Sequence, residues 1–450
     1  MKTKFLLFGL MFIMPIALVA ITLEEAVKEV LSTNPVIQER VKYFRSVKQD
    51  VGIAESGYYP KLDFVASYGR EKSNNNNTGN TDVYLNREEV GIVLSQNLFE
   101  GFYTQNDVDR QLYRVDSAAF SVVEQANKVA LNMIEAYTNL FEQKELLALS
   151  EANVQTHKNI NAKIQDRINS GVGANSELEQ SNSRLALAQS NYVVQLNNYE
   201  DTVSSFIKVY GKYIAPEDLL EPQTVTTIPE TKDEVLLQAK SDNPSLKVQL
   251  ANIKVARSNY HLGEKGFYPK IDLELRQDWN KDIGGVRGDD DSASIMLRFI
   301  YNLYNGGADT ANKQKRVSEV NQEVAVYNDL IRRVEESVRL SWMAYITLEK
   351  QTEYLKSHKS MSEKTLKSYS EEFDLGRRTL LDILDTEEEV YSASRELTTA
   401  KYDFILAQYR ILENTDRLLP VFDSTFLNVV GLGTEEESKS NELDTLPERM

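Results

Sequence analysis

The sequence predicts a mainly α chain with a membrane β-barrel: duplicated long helical hairpins plus four β-strands per chain, three chains closing a 12-strand barrel above a helical tunnel. Three observations lead there. One phrase recurs with its context in the same order, long stretches lack both proline and glycine, and four short segments alternate apolar and polar residues.

The phrase is GYYPKLDF at 57–64, which returns as GFYPKIDL at 266–273. Asn34-Pro35 precedes the first copy and Asn243-Pro244 the second. LSQNLFEGF at 94–102 answers IYNLYNGGA at 300–308, and SGVGANSEL at 170–178 answers LGRRTLLDI at 375–383, at an offset of about 205 positions. Ordered self-similarity of this kind marks a tandem duplication. It divides the chain into a signal peptide (1–20), a first repeat (21–211), an inter-repeat equatorial segment (212–230), a second repeat (231–419) and a C-terminal equatorial segment with an acidic tail (420–450).

The opening MKTKFLLFGLMFIMPIALVA has Lys2 and Lys4 before an apolar run from Phe5 to Ala20, the plan of a secretory signal. The run is shorter than the ~20 apolar residues a spanning helix needs. With no cysteine in 450 residues, disulfides, thiolate catalysis and a lipidated N-terminal cysteine are excluded. A formal net charge of −17 argues against nucleic acid, whose phosphates need clustered Lys and Arg. His157, His261 and His358 lie scattered on polar helical stretches and read as lone surface histidines, so no metal or other cofactor is expected. Carboxylates are abundant but have no partnered nucleophile, histidine or phosphate loop, and the chain is not expected to be an enzyme. The tail GTEEESKSNELDTLPERM is acidic and reads as disordered.

Each repeat opens with a helix and then launches a strand. Gly57 and Gly266 end the helix, Pro60 and Pro269 forbid its continuation, and alternation begins at once. Leu62, Phe64, Ala66 and Tyr68 share one face of a strand at about 61–70, and Val90, Ile92 and Leu94 one face of a second at about 88–99. The second repeat answers with Ile271, Leu273 and Leu275 at 270–280 and Ile295, Leu297 and Phe299 at 291–302. One apolar face and about ten residues per strand suit a barrel in lipid. The connectors at 71–82 and 280–291 are polar tips with no apolar anchor. Four strands cannot close, and an open edge in lipid would strand N–H and C=O groups, so several chains must share one barrel; three is the smallest number that leaves a usable lumen.

From Thr104 to Ser170 apolar residues recur at helical spacing (Phe120, Val123, Val129, Met133, Tyr137, Leu140), predicting one helix about 100 Å long. Val320, Val324, Leu330, Val334, Val338 and Leu348 predict its counterpart from about Thr310 to Phe373. A glycine-bearing break follows each, then a further helix at about 176–210 and 380–419.

These motifs resemble the TolC-type outer-membrane efflux family over nearly the whole mature chain. NLFEGF and NLYNGG at the strand-to-helix junctions, the YP before each launch and LGRRTLLDILD at 375–385 carry the resemblance. It implies a homotrimer in outer-membrane lipid with a tunnel reaching into the periplasm, docked to a periplasmic adaptor (membrane fusion) protein and an inner-membrane pump or ABC transporter. The implied function is an exit duct for tripartite efflux or type I secretion; a soluble periplasmic coiled-coil scaffold is the alternative. The resemblance also implies a periplasmic gate lined by Arg378, Asp382 and Asp385, with the arginine tied to Ser176 and Glu177 at the first hairpin turn. Phe373 stands where the family has a tyrosine, so one hydrogen bond is lost. Thr379 and Asp382 alone have the spacing of a helix-capping box. Gly171, Val172, Gly376 and Arg377 form the tips expected to face the adaptor.

Overall fold

A computed structural model describes residues 21–225, 228–423, 425, 426 and 428. The signal segment and nearly all of the acidic tail lie outside these residues. Contacts divide the chain into two compact units, each drawing on both repeats. One comprises Asn127–Val235 and Val338–Phe426 with the described residues up to Asn34; the other comprises Pro35–Ala126 and Leu236–Ser337.

In the second of these units, helices α2 (Pro35–Glu55) and α6 (Pro244–Gly263) each deliver the chain to a strand. The duplicated Asn-Pro pair opens both. Proline at the first helical position loses no hydrogen bond, and the Asn243 side chain accepts from Ser245 N at 3.0 Å. Strands β1 (Lys61–Ser73), β2 (Val83–Glu100), β3 (Lys270–Lys281) and β4 (Asp289–Ile300) form one antiparallel sheet in the order β1-β2-β3-β4. Leu62 pairs with Leu94, Leu94 with Leu275 and Leu275 with Ile295, so one register row runs across all four strands on the same face. That face is open: Leu62 is 67 % exposed, Phe64 70 % and Leu297 66 %. The opposite face mixes apolar residues such as Val65, Val93 and Met296 with hydrogen-bonded charged groups. Arg87 bridges Glu71 (3.0 Å) and Glu89, Ser67 donates to Glu89, and Arg276 bonds Asp278 at 2.7 Å.

The strands run further outward than the alternation suggested, because polar residues of β1 pair with the start of β2, Glu71 with Leu85 and Ser73 with Val83, and extend the ladder. The outer connectors are also anchored, although not by apolar residues. Asn75 caps the short 3-10 turn Asn76–Thr78 and donates its Nδ2 to Gly284 O at 2.9 Å, tying one connector to the other.

The long helices are α3 (Tyr103–Asn169) and α7 (Ala308–Asp374), each of 67 residues, followed by α4 (Asn175–Tyr210) and α8 (Leu380–Asn414). On α3 the buried stripe takes Val122, Ala126, Val129, Met133, Ile134, Tyr137 and Leu140, while Phe120 and Val123 are half-buried. On α7 only Val334 and Val338 of the expected stripe are buried; Leu340 and Tyr354 stand 66 % and 71 % exposed. Helix α8 stops at Asn414, short of the expected 419, because Asp416 adopts a left-handed backbone (φ 56°) before the short α9 (Leu418–Phe422).

In the other unit, α1 (Leu23–Thr33) starts with a reciprocal box between Thr22 and Glu25. Ile21 makes a parallel bridge to Leu219 of the inter-repeat segment. The buried Tyr137 hydroxyl shares its one proton between Ile21 O (2.9 Å) and Leu220 O (2.5 Å), tying both segments to α3. No helix among the described residues is long and apolar enough to cross a membrane.

Candidate functional site at the hairpin tips

Both hairpins turn by the same backbone device. Helix α3 ends as Gly171 N bonds Ile168 O (2.9 Å) and Val172 N bonds Arg167 O (3.0 Å); α7 ends as Gly376 N bonds Phe373 O (2.9 Å) and Arg377 N bonds Glu372 O (2.8 Å). These paired bonds are a Schellman stop, which needs a left-handed residue just past the helix. Gly171 (φ 76°) and Gly376 (φ 73°) supply it without a Cβ penalty.

Beneath the turns lies one apolar cluster of Ile164, Phe373, Leu380, Ile383 and Leu384, with Ile160, Ile168, Leu178, Leu366 and Tyr369 packed around it. It draws on all four helices and holds the two tips side by side. The tips enclose a shallow groove lined by Asp166, Arg167, Ser170, Val172, Asp374, Leu375 and Gly376. Val172 and Leu375, at 72 % and 70 % exposed, are its apolar rims.

Thr379 N and Oγ1 donate to Asp382 Oδ2 at 3.0 and 2.8 Å, and Asp382 N returns a 3.3 Å bond to Thr379 Oγ1. The Thr379 hydroxyl and backbone N–H hold the Asp382 carboxyl below its ordinary range. One turn on, Asp385 accepts from Arg184 of α4 at 3.1 Å.

Arg378 differs from the expectation. Within the chain its Nε donates to Glu372 Oε2 (2.7 Å) rather than to Ser176 or Glu177, and its guanidinium lies 4.0 Å from the centroid of Tyr369. The Glu372 hydrogen bond raises its pKa above the ordinary arginine value. Glu177 is occupied locally, accepting from Ala174 N at 3.5 Å, and Ser176 is exposed. Phe373 is a core residue, 8 % exposed, with the Arg167 guanidinium 4.6 Å above its ring.

His157 corrects the surface reading: it is 3 % exposed, and burial lowers its pKa against the opposing pull of Glu388. His261 and His358 are exposed and bond Glu264 and Glu389, each at 3.1 Å. Residues 354–369 and 184 carried no motif, so sequence reading missed Tyr369 and Arg184. Glu372 had a weak signal, sitting one residue before Phe373.

A sheet with one apolar face and, among the described residues, two unpaired edges, fed by long paired helices, defines the class: a membrane duct. The family model of the outer membrane efflux protein matches residues 26–212 and 235–413. The chain belongs to that family, and it is an outer-membrane exit duct with a periplasmic tunnel rather than an enzyme or a soluble scaffold. It is 22% identical over 423 residues to outer membrane efflux protein BepC of Brucella suis, covering 93% of this chain and 90% of that protein. It is 21% identical over 377 residues to proteases secretion protein PrtF of Dickeya chrysanthemi, covering 80% of each. The crystal structure of the Campylobacter jejuni CmeC outer membrane channel shares its fold, with TM-score 0.77, 17% identity, and coverage of 88% of this chain and 86% of that one.

Proposed function

We propose that three copies of this chain close one 12-strand barrel and form the exit duct of a tripartite efflux or type I secretion assembly, gated at the hairpin tips. The observation that carries this reading is the open four-stranded sheet. Its apolar face is exposed and both edge strands lack a partner among the described residues; in lipid such edges require pairing with further copies. The tips of Gly171, Val172, Gly376 and Arg377 meet a periplasmic adaptor, with an inner-membrane pump or ABC transporter beneath it.

Around a three-fold axis Asp382 and Asp385 place about six carboxylates, a field that draws cations and repels anions. Arg378, braced on Glu372 and Tyr369, meets Ser176 and Glu177 of the adjoining hairpin and holds the ring closed against the mutual repulsion of the aspartates. Purified protein reconstituted in planar bilayers tests this. Arg378→Ser raises single-channel conductance, and Asp382→Ala with Asp385→Ala weakens block by multivalent cations added from the periplasmic side. If neither property moves, the gate reading fails. If outer-membrane fractions hold no heat-modifiable trimer, the duct reading fails with it.

A further inference from the structure

We propose that Arg70 and Lys72, gathered at the Tyr84 ring on the outer end of the sheet's apolar face, form a seat for the phosphate of an outer-leaflet lipid headgroup. The site needs only the sheet's place in the outer membrane, whatever number of copies closes the barrel.

Its height is set by β1. The exposed apolar side starts at Tyr59, just before the strand, continues through Leu62, Phe64 and Ala66, and ends at Tyr68. Nine positions separate the two tyrosines, a rise of about 31 Å along a strand and about 23 Å along the membrane normal at a tilt of about 40°. A barrel of the outer membrane carries an apolar band about 25 Å tall between two aromatic girdles, and Tyr59 and Tyr68 fit its two edges. The helices join the sheet at the Tyr59 end, so that end is periplasmic and the Tyr68 end faces outward. Arg70 and Lys72 are the next two residues on the same face. They therefore stand in the headgroup layer.

Charge sets this end apart from the rest of the sheet. Elsewhere the strand cations have carboxylates: Lys61 with Asp63 (3.5 Å), Arg87 with Glu71 (3.0 Å), Lys270 with Asp272 (3.2 Å), Arg276 with Asp278 (2.7 Å) and Arg298 with Glu274 (3.8 Å). Among the described residues of the strands, Arg70 and Lys281 have no such partner, and both lie on the apolar face just beyond its aromatic rim of Tyr68 and Trp279. Lys281 sits between Glu88 and Asp289 in the register, so its field is already offset. Arg70 instead lies opposite Asn86, with its guanidinium 5.9 Å from the Tyr84 centroid.

Lys72 brings its Nζ to 5.8 Å from the same ring and bonds Asp82 Oδ2 at 2.8 Å, while Asn74 donates to the other oxygen of Asp82 at 2.9 Å. That fixes the ammonium and leaves two of its three N–H donors free for a ligand. The seat combines a planar fork suited to bidentate phosphate, a point charge, and an aromatic surface that orders both. At the edge of hydrocarbon an unpaired guanidinium is costly. The anion present at that level is a lipid phosphate.

The test is retention of radiolabelled diphosphorylated lipid A, offered in neutral detergent micelles to protein purified from outer membranes. The natural protein should hold the lipid, and less of it as salt rises. Arg70→Gln and Lys72→Gln should each weaken apparent affinity about five-fold, and the two together about thirty-fold. Arg70→Lys should lose less than Arg70→Gln, and Lys281→Gln should change little. Tyr84→Phe should bind as the natural protein does, and Tyr84→Ala more weakly. Lipid A stripped of its phosphates should bind the natural protein no better than the double variant. Excess inorganic phosphate, at ionic strength matched with chloride, should not displace the lipid. If the double variant melts at the natural temperature and retains the lipid equally well, the seat is overturned. Equal retention of the dephosphorylated lipid overturns it too, leaving apolar contact alone. Displacement by inorganic phosphate would mean that the seat reads free phosphate, which overturns the lipid assignment.

Discussion

The two hairpin tips share a backbone and little else. Both stop their long helix with the same glycine-centred pair of bonds, but the chemistry after the turn differs. At the second tip Thr379 and Asp382 cap each other, Arg378 bonds Glu372, and Asp385 holds Arg184. At the first tip Ala174 stands in the capping position, where it has no side-chain acceptor to offer, and Gly173 occupies the place of Arg378. Only the 3.5 Å bond between Ala174 N and Glu177 remains of the box. Duplication kept the geometry that both turns need; divergence concentrated exchangeable charge on one of them. The first tip is a strut and the second carries the groups that respond to charge.

The largest test acts on what the tips have in common. Leu384 is fully buried in the cluster beneath both turns, and Leu384→Ala should cost about 2–5 kcal/mol. Thermal unfolding should report the loss, and limited proteolysis should open both tips together. Cleavage confined to the second tip would show that the cluster does not couple them. A smaller pair of changes acts on the difference. Thr379→Ala should cost about 0.5–2 kcal/mol, and Ala174→Ser should recover about 1 kcal/mol at the first tip. Hydrogen exchange at the starts of α8 and α4 reads each separately, and similar protection of both starts in the natural protein would erase the contrast.

The smallest effect is a pH dependence. The folded pKa of His157 lies below the ordinary value near 6.5, first because of burial and further because of Arg184. The unfolded chain therefore binds the proton first, so the stability that neutral His157 provides is complete above about pH 6.5 and is lost as pH falls through the folded value. The melting-temperature advantage of the natural protein over His157→Gln should shrink between pH 7 and 5. A constant difference would mean that His157 does not titrate against its burial.

Strand positions were legible because period-two alternation and the Gly-Tyr-Pro launches are local signals. The long helices were legible because nothing in them interrupts helical bonding. The Thr379–Asp382 box was legible for the same reason, its partners being three residues apart. The strands' outward extension was not: Glu71, Lys72 and Ser73 are polar and are held by cross-strand pairing with Leu85, Tyr84 and Val83, so β1 shows no apolar period there to read. Nor was the burial of His157, since a polar residue on a long helix is inside or outside according to how neighbouring helices rotate against it.

By itself the sequence determined the duplication, the order of elements, the sheet's apolar face and the two glycine stops, all written in contacts within a few residues or in a repeat of the same letters. Only the tertiary structure decided which face of α3 is inside, that Arg378 leans on Glu372 and Tyr369, and that Asp385 meets Arg184 from 201 positions away. The physical reason is the same in each case. Backbone hydrogen bonding and alternation are fixed by near neighbours, whereas the partner of a long charged side chain is fixed by helix packing, which many distant apolar residues set together.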